Sequence, residues 1–152
     1  MPQVISIHVA DRSRGPMSEV RFARAVPGRG LEGDRYFLET GSFSEMPGTG
    51  RAVTLVEAEA IEALQRELGL GVAPGETRRN IVTMGVALNH LVDREFTVGE
   101  VRLRGVRLCE PCKGLAEMIG KPSILPGLIH RGGLRCEILS EGVIRVGDEV
   151  GI

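Results

Sequence analysis

The stretch from Ile81 to the C-terminus constrains the fold more than any other part of the chain, because apolar and polar residues alternate there in short runs separated by glycine-containing turns. Ile81-Val82-Thr83-Met84 reads as a short strand. Phe96 and Val98, then Val101 and Leu103, alternate on either side of Gly99-Glu100, which marks a hairpin. Leu134, Cys136 and Ile138 form another alternating set; Ile144 and Val146 follow after Ser140-Glu141-Gly142, and Val150 and Ile152 after Gly147-Asp148-Glu149. Many short strands at this spacing predict a closed or nearly closed barrel. The alternation slips once, at Gly105, where the next apolar pair is Val106 and Leu108. A one-residue slip would turn every later side chain to the opposite face, so a β-bulge is predicted at Gly105.

The first half carries fewer such signals. Val4 to Val9 alternates and reads as a strand, ended by Gly15-Pro16. Residues from Pro27 to Gly50 are rich in glycine, proline and small polar side chains and are expected to form a long functional or mobile loop. Thr54 and Glu57 have the spacing of a capping box, and Ile61, Leu64 and Leu68 fall on one face of the helix that would follow. Gly69 and Gly71 stop it, and its apolar stripe must cover a sheet or the mouth of a barrel. The expected fold class is mainly β with peripheral helices, and 152 residues fit a single domain over 1–152.

Composition narrows the function. Hydrophobic residues make up 42% and charged residues 26%, which places the chain among globular proteins rather than disordered ones. With 19 basic and 20 acidic residues the balance argues against a dedicated nucleic-acid binder. No run approaches the roughly 18 apolar residues of a membrane-spanning helix, and the start lacks the basic and apolar regions of a secretory signal, so a cytoplasmic protein with no membrane partner is expected. The three cysteines, Cys109, Cys112 and Cys136, are too few and odd in number for a disulfide framework, which leaves thiol chemistry or metal ligation. Lys113 and Lys121 are the only lysines; the rest of the basic side is arginine, suited to bidentate capture of phosphate or carboxylate.

The sharpest chemical feature is Leu108-Cys109-Glu110-Pro111-Cys112-Lys113, where a strand ends and a helical stretch from Leu115 to Ile119 begins. Free N–H groups at a helix start and an adjacent cation both stabilise a thiolate, which marks Cys112 beside Lys113 as the reactive thiol and Cys109 as its partner or shield. A structural zinc site wants four ligands, and beyond this pair the chain offers Cys136, His8, His90 and His130 singly. A thioredoxin-like dithiol needs βαβ units, whereas the surroundings here are hairpin-like. Three further clusters bear charge. Thr77-Arg78-Arg79-Asn80 aims several donors at an anion, most naturally a phosphate, although two arginines at a strand edge also suit a solvated face. His130-Arg131-Gly132-Gly133-Leu134-Arg135 lets backbone approach a ligand closely. In Gly30-Leu31-Glu32-Gly33-Asp34-Arg35-Tyr36 two glycines bend a loop in which Asp34 and Arg35 are free to pair with each other. Taken together, arginine-bearing loops and a poised thiolate describe a site for an anionic, phosphate-bearing ligand whose reactive atom is soft.

These residues resemble the MOSC domain, the module at the C-terminus of molybdenum cofactor sulfurases that also occurs as free-standing bacterial proteins. The resemblance covers essentially the whole chain and is carried by Gly30 to Arg35, Arg78 to Val82, Gly105 to Cys112, His130 to Leu134 and Ile144 to Asp148. It implies a MOSC-type β-barrel with peripheral helices and binding of the molybdenum cofactor (Mo-molybdopterin), a pterin dithiolene carrying a phosphate. In the related amidoxime-reducing enzymes a cysteine of this motif ligates molybdenum, and the matching position here is Cys112. Arg79 and Asn80 match residues that hold the pterin and its phosphate; Gly33, Asp34, His130 and Arg131 match other family motifs. The chain lacks the additional N-terminal barrel half of the amidoxime-reducing enzymes and the aminotransferase-like domain of the sulfurases, so pyridoxal phosphate is not implied.

Two functions follow as expectations. As a small molybdoenzyme, the chain would transfer oxygen or reduce N-hydroxylated compounds, with Arg78, Arg79, Asn80, Arg35 and Lys113 among the cofactor-binding residues and a separate redox partner supplying electrons. As a sulfur carrier, Cys112 would take a persulfide from a cysteine desulfurase, with Cys109 resolving it. A barrel that binds the pterin without chemistry is a third possibility.

Overall fold

The computed structural model describes residues 1–38 and 51–152. The strands are β1 (Gln3–Val9), β2 (Ser18–Val20), β3 (Phe22–Val26), β4 (Gly30–Leu31), β5 (Val53–Glu57), β6 (Ile81–Met84), β7 (Glu95–Val98), β8 (Val101–Leu108), β9 (Leu134–Ile138), β10 (Gly142–Arg145) and β11 (Val150–Gly151). The helices are α1 (Ala58–Leu68), α2 (Lys113–Ile119) and α3 (Ile124–Leu128), with 3-10 turns at Pro74–Thr77 and Leu88–Leu91. Eight strands pair in the order β11-β7-β8-β9-β5-β6-β1-β2 and curl into a half-barrel; β10, β3 and β4 make a second, three-stranded sheet. All neighbours are antiparallel except β5 and β6. Among the described residues no helix is long and apolar enough to cross a membrane.

Alternation decides which side chains fill the half-barrel. Ile7, Leu55, Ile81, Leu103, Leu134 and Cys136 point inward and are fully buried in one cluster. The bulge at Gly105 is present, with the β8–β9 register shifting between Gly105 and Arg107. Its cause is visible as well: a β-carbon on Gly105 would fall on the Leu91 carbonyl oxygen, so only glycine lets the Leu88–Leu91 turn lie against β8.

The expected capping box is a misreading of β5. Thr54 lies within the strand, hydrogen-bonded to Asn80, and the helix begins at Ala58 with Glu57 as an N-cap whose side chain makes no cap bond. The run Val53-Thr54-Leu55-Val56 is β-branched or apolar throughout, and pairing on both edges overrides the local helix signal. The rest of the helix follows the sequence: Ile61 and Leu64 are buried, and Gly69 in the left-handed conformation ends it, although Leu68 is half exposed. The stripe covers the outer face of β5 and β6 through Val56, Ile61 and Val82, and packs on α2 and α3 through Leu64, Leu115, Ile124 and Leu128. Within the expected loop from Pro27 to Gly50, Gly30–Leu31 pairs with β3, and residues 39–50 lie outside the described residues. Towards the C-terminus, Val146 and Ile152 are exposed rather than inward-facing, because β10 ends at Arg145 and β11 at Gly151.

Candidate functional site

Cys109 and Cys112 leave the end of β8 in opposite environments. The Cys109 N–H donates to Gly133 O at 2.7 Å, which extends the β8–β9 ladder by one residue and carries the side chain into the interior, where it is 1% exposed. Cys112 has extended backbone and serves as the N-cap of α2; its Sγ accepts the Leu115 N–H at 3.4 Å. Cys112 is exposed, whereas Cys109 and Cys136 are buried and all three thiols are free. Burial, with Cys109 nearby, pushes the Cys136 thiol far above its ordinary value, as expected of a small hydrophobe with no chemistry. Lys113 opens α2, one residue beyond the thiol.

Arg79 holds this motif in place. Its Nε donates to Gly132 O at 2.8 Å, Nη1 to Thr77 O at 3.1 Å, and Nη2 to Cys109 O at 2.9 Å and Glu110 O at 3.4 Å. One buried guanidinium thus joins the segment before β6, the Cys-x-x-Cys turn and the Gly132-Gly133 turn. Asn80 does the same for the strands: Oδ1 accepts from Thr54 N and Oγ1, and Nδ2 donates to His8 O. Both residues were expected to face the pterin. In this geometry their polar atoms are taken by the protein, and they act on a ligand through the walls they fix.

Arg78, the preceding residue, is built in the reverse way. Its backbone is left-handed, at φ 60°, a conformation uncommon for a non-glycine residue. Its Nη1 donates to Gly15 O at 2.6 Å, but its Nη2 is buried with no partner. Burial and then the Arg35 guanidinium depress the Arg78 pKa, with Asp34 offsetting part of this and Arg14 adding to it. Arg78 lines an open cleft of about 520 Å³ together with Arg14, Met17, Glu76, Met118 and Ile119. Arg14 reaches the thiol side of the same region: a β-carbon on Gly114 would stand 3.7 Å from Arg14 Nη1 and 3.8 Å from Cys112 Sγ, so cation and thiol flank one bare α-carbon. Neither Arg14 nor Gly114 stood out in the sequence. The one local sign is that Arg14 is also left-handed, at φ 59°, which no sequence pattern announces.

The other expected residues are distributed around this centre. Asp34 is fully buried, accepting from Ala10 N at 3.1 Å and pairing with Arg35 Nη1 at 3.2 Å, so the internal ion pair is real. Arg35 also donates to Met17 Sδ and to Arg78 O, which ties the Gly33 turn to the cleft. Gly33 is left-handed at φ 91°. His130 is turned to solvent and clamped by Glu110, which accepts its N–H at 2.7 Å and contacts Nδ1 at 3.0 Å. Arg131 makes a bidentate pair with Glu67 of α1 and donates to Gly127 O, which fixes the turn before β9 rather than reaching the cleft. Among the described residues no group of three or more His, Cys, Asp or Glu side chains is arranged to hold a metal.

A half-barrel of this topology, with a cysteine-bearing turn braced from inside by an arginine, defines a class that comparison identifies. The MOSC domain model matches residues 17–151, and the chain belongs to the MOSC family. Its fold is shared with the YuaD protein from Bacillus subtilis (TM-score 0.81, 19% identity, covering 99% of this chain and 94% of that one). It is also shared with YiiM from Geobacillus stearothermophilus (0.75, 16%, 99% and 74%) and YiiM from Escherichia coli (0.69, 19%, 99% and 69%). No curated protein sequence matches significantly.

Proposed function

We propose that this MOSC protein binds the molybdenum cofactor in the cleft between the Arg14–Met17 turn, the Pro74–Thr77 turn and α2, with Cys112 as its sulfur ligand. The observation that carries the reading is the buried, unpartnered Nη2 of Arg78 in a cleft whose nearby guanidiniums outnumber its free carboxylates. Asp34 is engaged by Arg35, and Glu76 by Lys121 at 3.1 Å. An anionic group seated there would satisfy the orphaned donor, and a phosphate suits the guanidinium fork. The residues fit the group in three further respects. The exposed thiol is a soft donor, Gly114 leaves a cradle that a β-carbon would fill, and Met17 and Met118 offer polarizable walls to a planar heterocycle.

When bound, the cofactor supplies oxo-transfer or reductive chemistry, and the chain supplies position and charge. Arg78 and Arg14 neutralise the anionic end, and Cys112 presents its sulfur from a backbone held by the Leu115 N–H. Arg79 keeps the Cys109–Cys112 turn and the Gly132-Gly133 turn in register. His130, oriented by Glu110, leaves Nε2 towards solvent as a proton donor or acceptor at the rim. Electrons come from a partner protein. The test is molybdenum and pterin content of the protein purified from a molybdenum-replete host. Near-stoichiometric content, lost in Cys112→Ser and reduced in Arg78→Leu, supports the reading; neither metal nor pterin in the parent protein overturns it.

A further inference from the structure

We propose that Cys112, Gly114 and Arg14 together accept sulfane sulfur from a small anion of the thiosulfate type. The inference rests on Cys112 as the site's working sulfur, as above, but not on the metal. Its basis is a juxtaposition across about a hundred residues of sequence: the guanidinium of Arg14 and the Cys112 thiol meet at the same uncovered α-carbon, that of Gly114. A thiol that receives sulfur from another protein needs exposure alone. A cation fixed beside it across a bare glycine adds something a protein donor does not require, namely a seat for a small donor whose leaving group is an oxyanion. The guanidinium fork matches two sulfonate oxygens, and Arg78 extends the same charge into the cleft. Glycine at position 114 is itself informative. It is the second residue of α2, where alanine would be the better helix former, so the missing methyl serves the notch rather than the helix.

The step balances. Cys112, having given its proton to solvent, attacks the outer sulfur of thiosulfate as thiolate. A bond forms between the two sulfurs while the bond from the outer sulfur to the sulfonate breaks. Sulfite leaves with the electron pair, held until release by Arg14, and Cys112 remains as a persulfide. Charge is conserved, and no further oxidant or reductant is needed. Cys109 takes no part, because its side chain is buried on the other side of the turn.

The experiment uses the reduced, full-length protein freed of metal and pterin, with thiosulfate as the probe. Intact mass is expected to rise by one sulfur atom with release of one sulfite, and Cys112→Ser is expected to abolish both. Arg14→Gln is expected to slow transfer at low thiosulfate by about tenfold or more, through loss of a charge-assisted contact, with partial recovery in Arg14→Lys. Alkylation of Cys112 by neutral iodoacetamide serves as the control. It is expected to stay within about twofold in Arg14→Gln, since a contact to the anion leaves a neutral reagent unaffected. Gly114→Ala, whose new methyl meets only ordinary contacts, is expected to fold normally and lose transfer. Absence of an adduct on the parent protein overturns the proposal, as does an equal loss of transfer and alkylation in Arg14→Gln. An adduct formed with a desulfurase and not with thiosulfate overturns it in favour of a protein donor. None of these results bears on molybdenum or pterin content, so the cofactor reading stands or falls separately.

Discussion

Two adjacent arginines divide the molecule into scaffold and site. Arg79 points into the end of the half-barrel and spends its guanidinium on four main-chain carbonyls. Arg78 points into the cleft with one nitrogen buried and unmatched, beside two other guanidiniums. The residue type and the sequence neighbourhood are the same, and only hydrogen-bond supply differs. Where carbonyls outnumber donors the arginine stabilises the fold; where donors outnumber acceptors the fold is left waiting for an anion.

Substitution breaks the comparison most directly. Arg79→Met is expected to cost about 3 kcal/mol or more in urea unfolding, because buried carbonyls of three segments lose their donor. Arg78→Met is expected to stay within about 1 kcal/mol, since it removes an orphan along with one hydrogen bond. Equal costs would erase the distinction. Asn80→Ala, which strips partners from Thr54 and from the His8 carbonyl, is expected to cost about 2 kcal/mol by the same measurement.

Smaller effects appear in pH dependence. Burial lowers the His8 pKa from 6.5, with Glu19 opposing. The folded state therefore holds His8 neutral, its Nε2 against Ser6 Oγ at 2.8 Å, and stability is complete above the unfolded value. Stability should fall as pH drops through 6.5 towards the folded pKa, and His8→Gln should flatten that slope in unfolding curves. The smallest effect belongs to Glu110, whose pKa is lowered first by the His130 N–H. Its contribution is present above about 4.5 and lost as pH falls below. Because the pair is exposed, Glu110→Gln should change stability by less than about 0.5 kcal/mol while loosening the His130 turn, read as faster amide exchange there.

What the sequence disclosed, and what it hid, follows the same physics. Strands β6 to β9, the hairpin and the bulge were legible because one buried face imposes a period of two. α2 was legible from the residues that begin it. β2 and β3 were not, being short and carrying exposed Phe22 and Arg24 between buried alanines. α3 was hidden because Pro126 and Gly127 lie inside it; Gly127 is required where the helix meets Leu64 of α1. In the site, Cys112 could be found from its immediate neighbours. The division of labour between Arg78 and Arg79 could not, since it depends on carbonyls 30 and 53 residues away.

That reach also dictates when the Cys112 turn becomes ordered during folding. The Arg79 guanidinium closes chain loops of 30 and 53 residues at once, and such closures are entropically unfavourable until the strands they bridge have paired. The nascent chain therefore holds an unrestrained thiol until the last strands join, and only the finished protein presents a sulfur with a fixed address.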